Sequence, residues 1–213
     1  MNGIFVIGAS GHAKVLIDIV EREDRWRIAG LIDTYKRAGT DLMGYTVLGS
    51  EDCLPELMER LGVGRAIIAI GDNRTRREVS RRVSAIAPDL NFVNAIHPSA
   101  QIGRAVDLGR GIAIMAGAVV NSGTRIGDFC FVNTHASVDH DNVMEPFSCL
   151  QPNAATGGNV RIGALSVVAM GAHVIQGISI GEDTLIGAGS TVLSHIPGGV
   201  VAYGTPCRII RPR

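Results

Sequence analysis

From Ile96 to Val192, one residue in every six is aliphatic, with a single interruption. The series reads Ile96, Ile102, Leu108, Ile114, Val120, Ile126, Val132, Val138, Met144, Leu150, Thr156, Ile162, Val168, Val174, Ile180, Ile186 and Val192, and only Thr156 breaks it. An α-helix repeats every 3.6 residues and a half-buried strand every two, so neither selects one position in six for so long. The pattern predicts a solenoid in which three hexads make one turn. Each hexad is then a short strand and a corner, and the aliphatics stack into a column along each of three faces. Four positions after the aliphatics stand mostly small residues, among them Ala118, Thr124, Cys130, Ala136, Ser148, Ala154, Ser166 and Ala172, which would fill tight corners. Glycine follows the aliphatic at Gly103, Gly109, Gly127, Gly157, Gly163, Gly181 and Gly187, where a bend free of a Cβ is expected. This is the hexapeptide signature of a left-handed parallel β-helix, expected over residues 95–213.

Residues 1–94 follow other periods and predict a separate Rossmann-like α/β domain. Ile4 to Ile7 is an apolar run ending at Gly8, and Gly11 opens a segment whose Val15, Leu16, Ile19 and Val20 share one helical face. Ile28 to Ile32 reads as a second strand ending at Asp33. Ser50 starts a second helix, with Glu51 and Asp52 in its first turn, Leu54, Leu57, Met58 and Leu61 on its buried side and Gly62 as its stop. Ala66 to Ile70 is a further buried strand. Gly71-Asp72-Asn73 then caps a third helix through Val79, Val83 and Ile86, whose Arg74, Arg76, Arg77, Arg81 and Arg82 are expected on its solvated side. Phe92 to Ala95 closes the sheet. Alternating strands and helices imply a small parallel sheet that takes ligands at the carboxyl ends of its strands. There Ser10, Gly11, His12, Asp33, Gly71 and Asn73 should converge, and backbone N–H groups at a helix N-terminus suit a phosphate. Gly8-Ala9-Ser10-Gly11 is neither a full dinucleotide fingerprint nor a P-loop, so the motif alone licenses no particular nucleotide.

Composition narrows the field. The chain has 213 residues and zero formal net charge, so no basic field points to nucleic acid. No stretch approaches 18 uninterrupted apolar residues and no secretory leader pattern opens it, which predicts a cytoplasmic protein with no membrane span. Cys53, Cys130, Cys149 and Cys207 lack metal-site or disulfide spacing, and Cys130 and Cys207 read as small buried fillers.

Chemistry in the repeat region has to come from its few unusual residues. Asn133 to Asn142 holds His135, Asp139, His140 and Asp141. A corner histidine flanked by two carboxylates has its imidazolium stabilised and its ring oriented, which suits a general base near neutral pH. His140 takes that role, and His135 reads as supporting or structural. His173 and His195 read as surface or interface residues, and His97, before Pro98, as structural. Zinc shared across a trimer is the lesser reading. A third ligand should stack at a multiple of 18 residues, and neither His97 nor His173 does so.

Taken together, Gly8-Ala9-Ser10-Gly11-His12, Asp33, Ile70-Gly71-Asp72-Asn73, the hexads, Asp139-His140-Asp141, Ala155-Thr156-Gly157-Gly158-Asn159 and Tyr203-Gly204-Thr205-Pro206 resemble a family over nearly the whole chain. It is that of bacterial nucleotide-sugar acetyltransferases, which join a nucleotide-binding βαβ domain to a left-handed β-helix and include sialic-acid O-acetyltransferase-like proteins. The resemblance implies a homotrimer with acetyl-CoA as cosubstrate in the groove between neighbouring β-helices, no metal, and a nucleotide-linked 4-aminosugar held by the N-terminal domain. It implies His140 as base, Asp141 as its orienting partner where relatives often have Glu, and Asn133 as an active-site amide. Gly157, Gly158, Ala172, Gly204 and Pro206 fall to the cofactor, with the Gly158 N–H on the thioester oxygen, a donor that acyl transfer requires. Cys149 stands where relatives often carry a second histidine. UDP, GDP and dTDP stay open, as do O-acetylation of a sialic-acid-like sugar and a non-catalytic nucleotide-sugar-binding trimer. Flat prism faces make a closed cyclic assembly the expected state.

Overall fold

The computed structural model describes residues 3–213. It divides into two compact units, Met1–Pro98 and Ser99–Arg213, a boundary four residues beyond the expected one. At the strand Ala95–Ile96 the Ile96 N–H reaches the Glu23 carboxylate.

In the first unit β1 (Gly3–Ile7) is followed by α1 (Gly11–Glu23) and β2 (Arg27–Ile32). Then come the hairpin strands β3 (Asp41–Leu42) and β4 (Tyr45–Gly49), a 3₁₀ turn at Glu51–Cys53 and α2 (Leu54–Leu61). The unit continues with β5 (Arg65–Ile68), α3 (Asn73–Ile86) and β6 (Asn91–Phe92). The sheet order is β3-β4-β2-β1-β5-β6, with β1 parallel to both β2 and β5. All five residues of β1 are buried, as a central strand covered on both faces requires. Several expectations change here. Val15 is 39% exposed and does not share the buried face of α1 with Leu16, Ile19 and Val20. Leu61 is exposed, although Gly62 does stop α2 in the left-handed conformation. Arg76 is fully buried rather than solvated. It shares the inward stripe of α3 with Asn73, Ser80 and Val83, and its guanidinium donates to the carbonyls of Ile70 and Gly71.

The second unit is a left-handed parallel β-helix of two-residue strands stacked in register. Val119 pairs with Ser137 and Ser137 with Ala155, so each residue lies over the one 18 positions earlier. The aliphatic columns point inward: Ile114, Val120, Val132, Val138, Leu150, Ile162, Val168 and Ile186 are fully buried. Burying such a side chain contributes about 1.5–3 kcal/mol, and the repetition offsets the ordering of many short strands. Ala118, Thr124, Cys130, Ala136, Ser148, Ala154, Ser166 and Ala172 are also at 0% exposure, inside the corners.

The glycines that follow the aliphatics have a different cause from the one expected. The bend falls three residues after each aliphatic, where Ala105, Phe129, His135, Asp141, Phe147, Asn153 and Asn159 all take positive φ. Gly103, Gly127, Gly157 and Gly163 do not. A Cβ on Gly157 would lie 2.7 Å from the Gln176 nitrogen, and one on Gly163 2.5 Å from that of Glu182. These residues are small because the next coil passes directly over them.

Candidate active site

His140 stands on the prism edge between the face carrying Ser137–Val138 and the face carrying Val143–Met144. Its Nδ1 is 2.8 Å from Asp141 Oδ2, a contact in which Nδ1–H donates to the carboxylate, so that in the neutral ring Nε2 carries the lone pair. Asp139 accepts from the His140 backbone N–H at 2.8 Å and from Asn121 Nδ2 at 2.9 Å. The Asp141 hydrogen bond raises the His140 pKa above its ordinary 6.5, against desolvation and with further support from the charges of Asp139 and Asp141. The Asp139 carboxyl is held below its usual range, first by the His140 N–H and then by Asn121.

One coil above the imidazole lies Gly158. A Cβ there would sit 2.5 Å from His140 Cε1 and Nε2. Its own N–H donates to no group among the described residues, so a free backbone donor stands beside the ring nitrogen that would take a proton.

Three residues that anchor this edge escaped the sequence reading of the site. The buried Asn142 amide donates to the carbonyls of Asp139, His140 and Gly157 at 2.7, 3.2 and 2.9 Å. Thr124 Oγ1 donates to the Asp139 carbonyl and accepts from the Asn142 N–H. Thr156, the one break in the aliphatic series, accepts from the Asp139 N–H at 3.3 Å. Two of them were visible as irregularities, a polar residue among the aliphatics and an asparagine among the small corner fillers.

Other expected residues fall elsewhere. Asn133 and His135 occupy the preceding edge of the prism, so one chain does not bring them to His140. Asn133 Oδ1 accepts from the Thr134 N–H, and its amide faces Gln151 at 3.4 Å. Ala172 is enclosed inside the prism with its N–H and C=O both spent in the coil, and it offers a cofactor no group of its own. Gly204 and Pro206 are exposed, with Gly204 donating to Ser190 Oγ. Cys149 is 1% exposed and accepts from Gln151 Nε2. His195 Nδ1 accepts from the Ser179 N–H. Among the described residues, no group of three or more His, Cys, Asp or Glu side chains could hold a metal ion, and no helix is long and apolar enough to cross a membrane.

In the first unit, a cavity of about 240 Å³ opens at the carboxyl edge of the sheet, lined by Gly8, Ser10, Asp33, Glu51, Glu78 and Arg82 among others. Ser10 caps α1, and a Cβ on Gly11 would meet nothing within 4 Å, so the first turn of α1 faces open space. Gly8 is a turn glycine by necessity, with φ at 109° and the Ala69 carbonyl 2.9 Å from where its Cβ would be. Asp33 lines the cavity, but its oxygens accept from the backbone N–H groups of Ala9, Tyr35 and Lys36 and so tie two loops together. Asp72 caps α3 through the Thr75 N–H. Asn73, expected on the ligand, is instead buried and accepts from Arg76 at 2.7 Å. Glu51 is 6% exposed. Burial would raise its pKa, but hydrogen bonds from Thr34 and Arg82 outweigh this and hold it below the ordinary value.

His12, packed beside Gly71, is lowered from 6.5 to about 4, chiefly by burial and then by the Arg76 charge. The unfolded chain therefore takes up a proton that the folded chain refuses. Stability is expected to fall as pH drops from about 6.5 to about 4 and to level off below, by about 3 kcal/mol in all. Urea unfolding at pH 7 and pH 4 checks this, since His12→Gln should lose less stability over the interval than the natural sequence.

Residues 3–83 match the PglD N-terminal domain. The chain is 34% identical to the UDP-N-acetylbacillosamine N-acetyltransferase of Bacillus subtilis over 117 residues, which is 54% of this chain and only about half, 52%, of that protein. Solved structures match over nearly the full length. A histidine-to-asparagine mutant of perosamine N-acetyltransferase from Caulobacter crescentus, in complex with CoA and GDP-perosamine, superposes with a TM-score of 0.92 at 38% identity, covering 99% of this chain and 97% of that one. The acetyltransferase domain of PglB from Neisseria gonorrhoeae, in complex with acetyl coenzyme A, gives 0.89 at 30% identity over 98% and 99%.

Proposed function

The chain belongs to the nucleotide-sugar N-acetyltransferases of the hexapeptide-repeat family, and on that basis we propose that it transfers acetyl from acetyl-CoA to the 4-amino group of a nucleotide-linked 4-amino-4,6-dideoxysugar. The observation that carries this reading is the edge at His140, where Nδ1 is held by Asp141 at 2.8 Å and Nε2 lies against Gly158. The sugar amine attacks the thioester carbonyl. His140 Nε2 takes the amine proton, and the Gly158 N–H donates to the oxygen that becomes negative. The tetrahedral intermediate expels CoA thiolate, which recovers the proton from His140. Transfer is direct, because Cys149 is 1% exposed and so closed to the thioester as a nucleophile.

The first unit would hold the nucleotide, its phosphates against the N–H groups of Ser10, Gly11 and His12 at the open start of α1. Gly157, Gly204 and Pro206 would line the CoA path, and Asn133 would reach the chemistry from a neighbouring subunit of a homotrimer. A monomeric mass at micromolar concentration would remove that shared groove.

Release of free thiol from acetyl-CoA, measured with UDP-, GDP- and dTDP-linked 4-aminosugars, tests the reading. Rapid release with one of them is expected. Activity confined to free sialic-acid-like sugars would replace it with O-acetylation, and tight nucleotide binding without thiol release would make the chain a binding trimer. Asp141→Asn should carry the acidic limb of the kcat/KM profile to lower pH, toward the ordinary imidazole value, because the largest influence holding the His140 pKa up is gone. A limb that stays in place would mean that another group titrates there.

A further inference from the structure

We propose that the cavity of the first unit selects guanine, with Glu78 and Arg82 reading the edge of the base. This rests on the reading of that cavity as the nucleotide site. Glu78 and Arg82 both line it, four residues apart on one face of α3, a spacing that sets their side chains next to each other. From Thr75 to Arg82 the cavity follows two turns of α3, about 10 Å at 1.5 Å per residue, which is longer than a phosphate site alone needs.

The two side chains have complementary chemistry. Arg82 is fixed by the buried Glu51, whose Oε1 accepts from its Nη2 at 2.9 Å, so its guanidinium is held at the cavity wall with donors to spare. Glu78 supplies a carboxylate with two acceptor oxygens. Along the edge of guanine, one acceptor, O6, is followed by two donors, N1–H and the 2-amino group. Arg82 donates to O6, and the two oxygens of Glu78 accept the adjacent pair. Uracil and thymine present acceptor, donor, acceptor. On either of them the second carboxylate oxygen meets a carbonyl instead of an N–H, and one hydrogen bond becomes a repulsion. The relatives do not decide between bases, since one is a UDP-N-acetylbacillosamine N-acetyltransferase and another is bound to GDP-perosamine. The donor and acceptor order on α3 does.

Calorimetric titration of the full chain with GDP, IDP, UDP and dTDP tests this, because IDP is GDP without the 2-amino group. The natural sequence is expected to bind GDP about tenfold or more tighter than the other three. In Glu78→Gln the preference for GDP over IDP should collapse, while UDP binds at least as tightly as before, because the amide N–H now donates to the carbonyl that the carboxylate repelled, and this shows that the site is still folded. UDP or dTDP binding as tightly as GDP, or an unchanged ratio of GDP to IDP in Glu78→Gln, would overturn the guanine assignment and leave the nucleotide site standing. No binding of any nucleotide would overturn both.

Discussion

His140→Asn is expected to lower turnover by about 10²-fold or more, the range that a positioned general base contributes. Asparagine is similar in length and can still donate to Asp141, so the corner should survive. The corner itself is held by other groups: Asn142 binds three carbonyls, Thr124 two backbone groups and Asp139 the local N–H. A folded variant with its nucleotide affinity intact and its turnover gone is the predicted outcome. Steady-state kinetics beside a thermal melt distinguish this from misfolding, and near-normal turnover would take His140 out of the mechanism.

Gly158→Ala should cost as much by a different route. The backbone of Gly158 lies outside the left-handed region, so alanine is conformationally acceptable there. What its Cβ meets is the imidazole, at 2.5 Å from Cε1 and Nε2. The His140 side chain is exposed, and it is the softer partner in that clash. It should swing off the edge, breaking the 2.8 Å bond to Asp141 and moving Nε2 by about 1 Å or more, a displacement that costs on the order of 10²-fold in rate. The melting temperature should change little. A large loss of stability with the turnover of the surviving folded fraction unchanged would mean that the coil yields instead of the ring.

The β-helix was legible because its signal repeats through many coils: the period of six fixes three faces, and the stacking by 18 follows from it. That same rule places Gly158 over His140, and adjacency in sequence is enough to pair His140 with Asp141. It also separates Asn133 from His140, since seven positions are one hexad plus one and carry the chain to the next edge. The glycines were located correctly but given the wrong cause, because a bend and a close overhead coil both exclude a Cβ and a sequence does not distinguish them. Arg76 was misjudged by its charge, although its phase with Val83 and Ser80 puts it on the buried stripe of α3. The β3–β4 hairpin went unseen because its turn is Met43-Gly44, with φ at 55° and 82°, and methionine gives none of the usual warning of a left-handed residue. The pair of buried Glu51 and exposed Arg82 joins residues 31 positions apart, and only the folded chain reveals it.

The most direct measurement combines thiol release with NMR of the product after the chain is incubated with acetyl-CoA and a GDP-linked 4-amino-4,6-dideoxysugar. One thiol released per amide formed on the C4 nitrogen, and neither seen with His140→Asn, is the predicted result. An ester on a sugar hydroxyl, or an amide formed equally fast without the histidine, would contradict it.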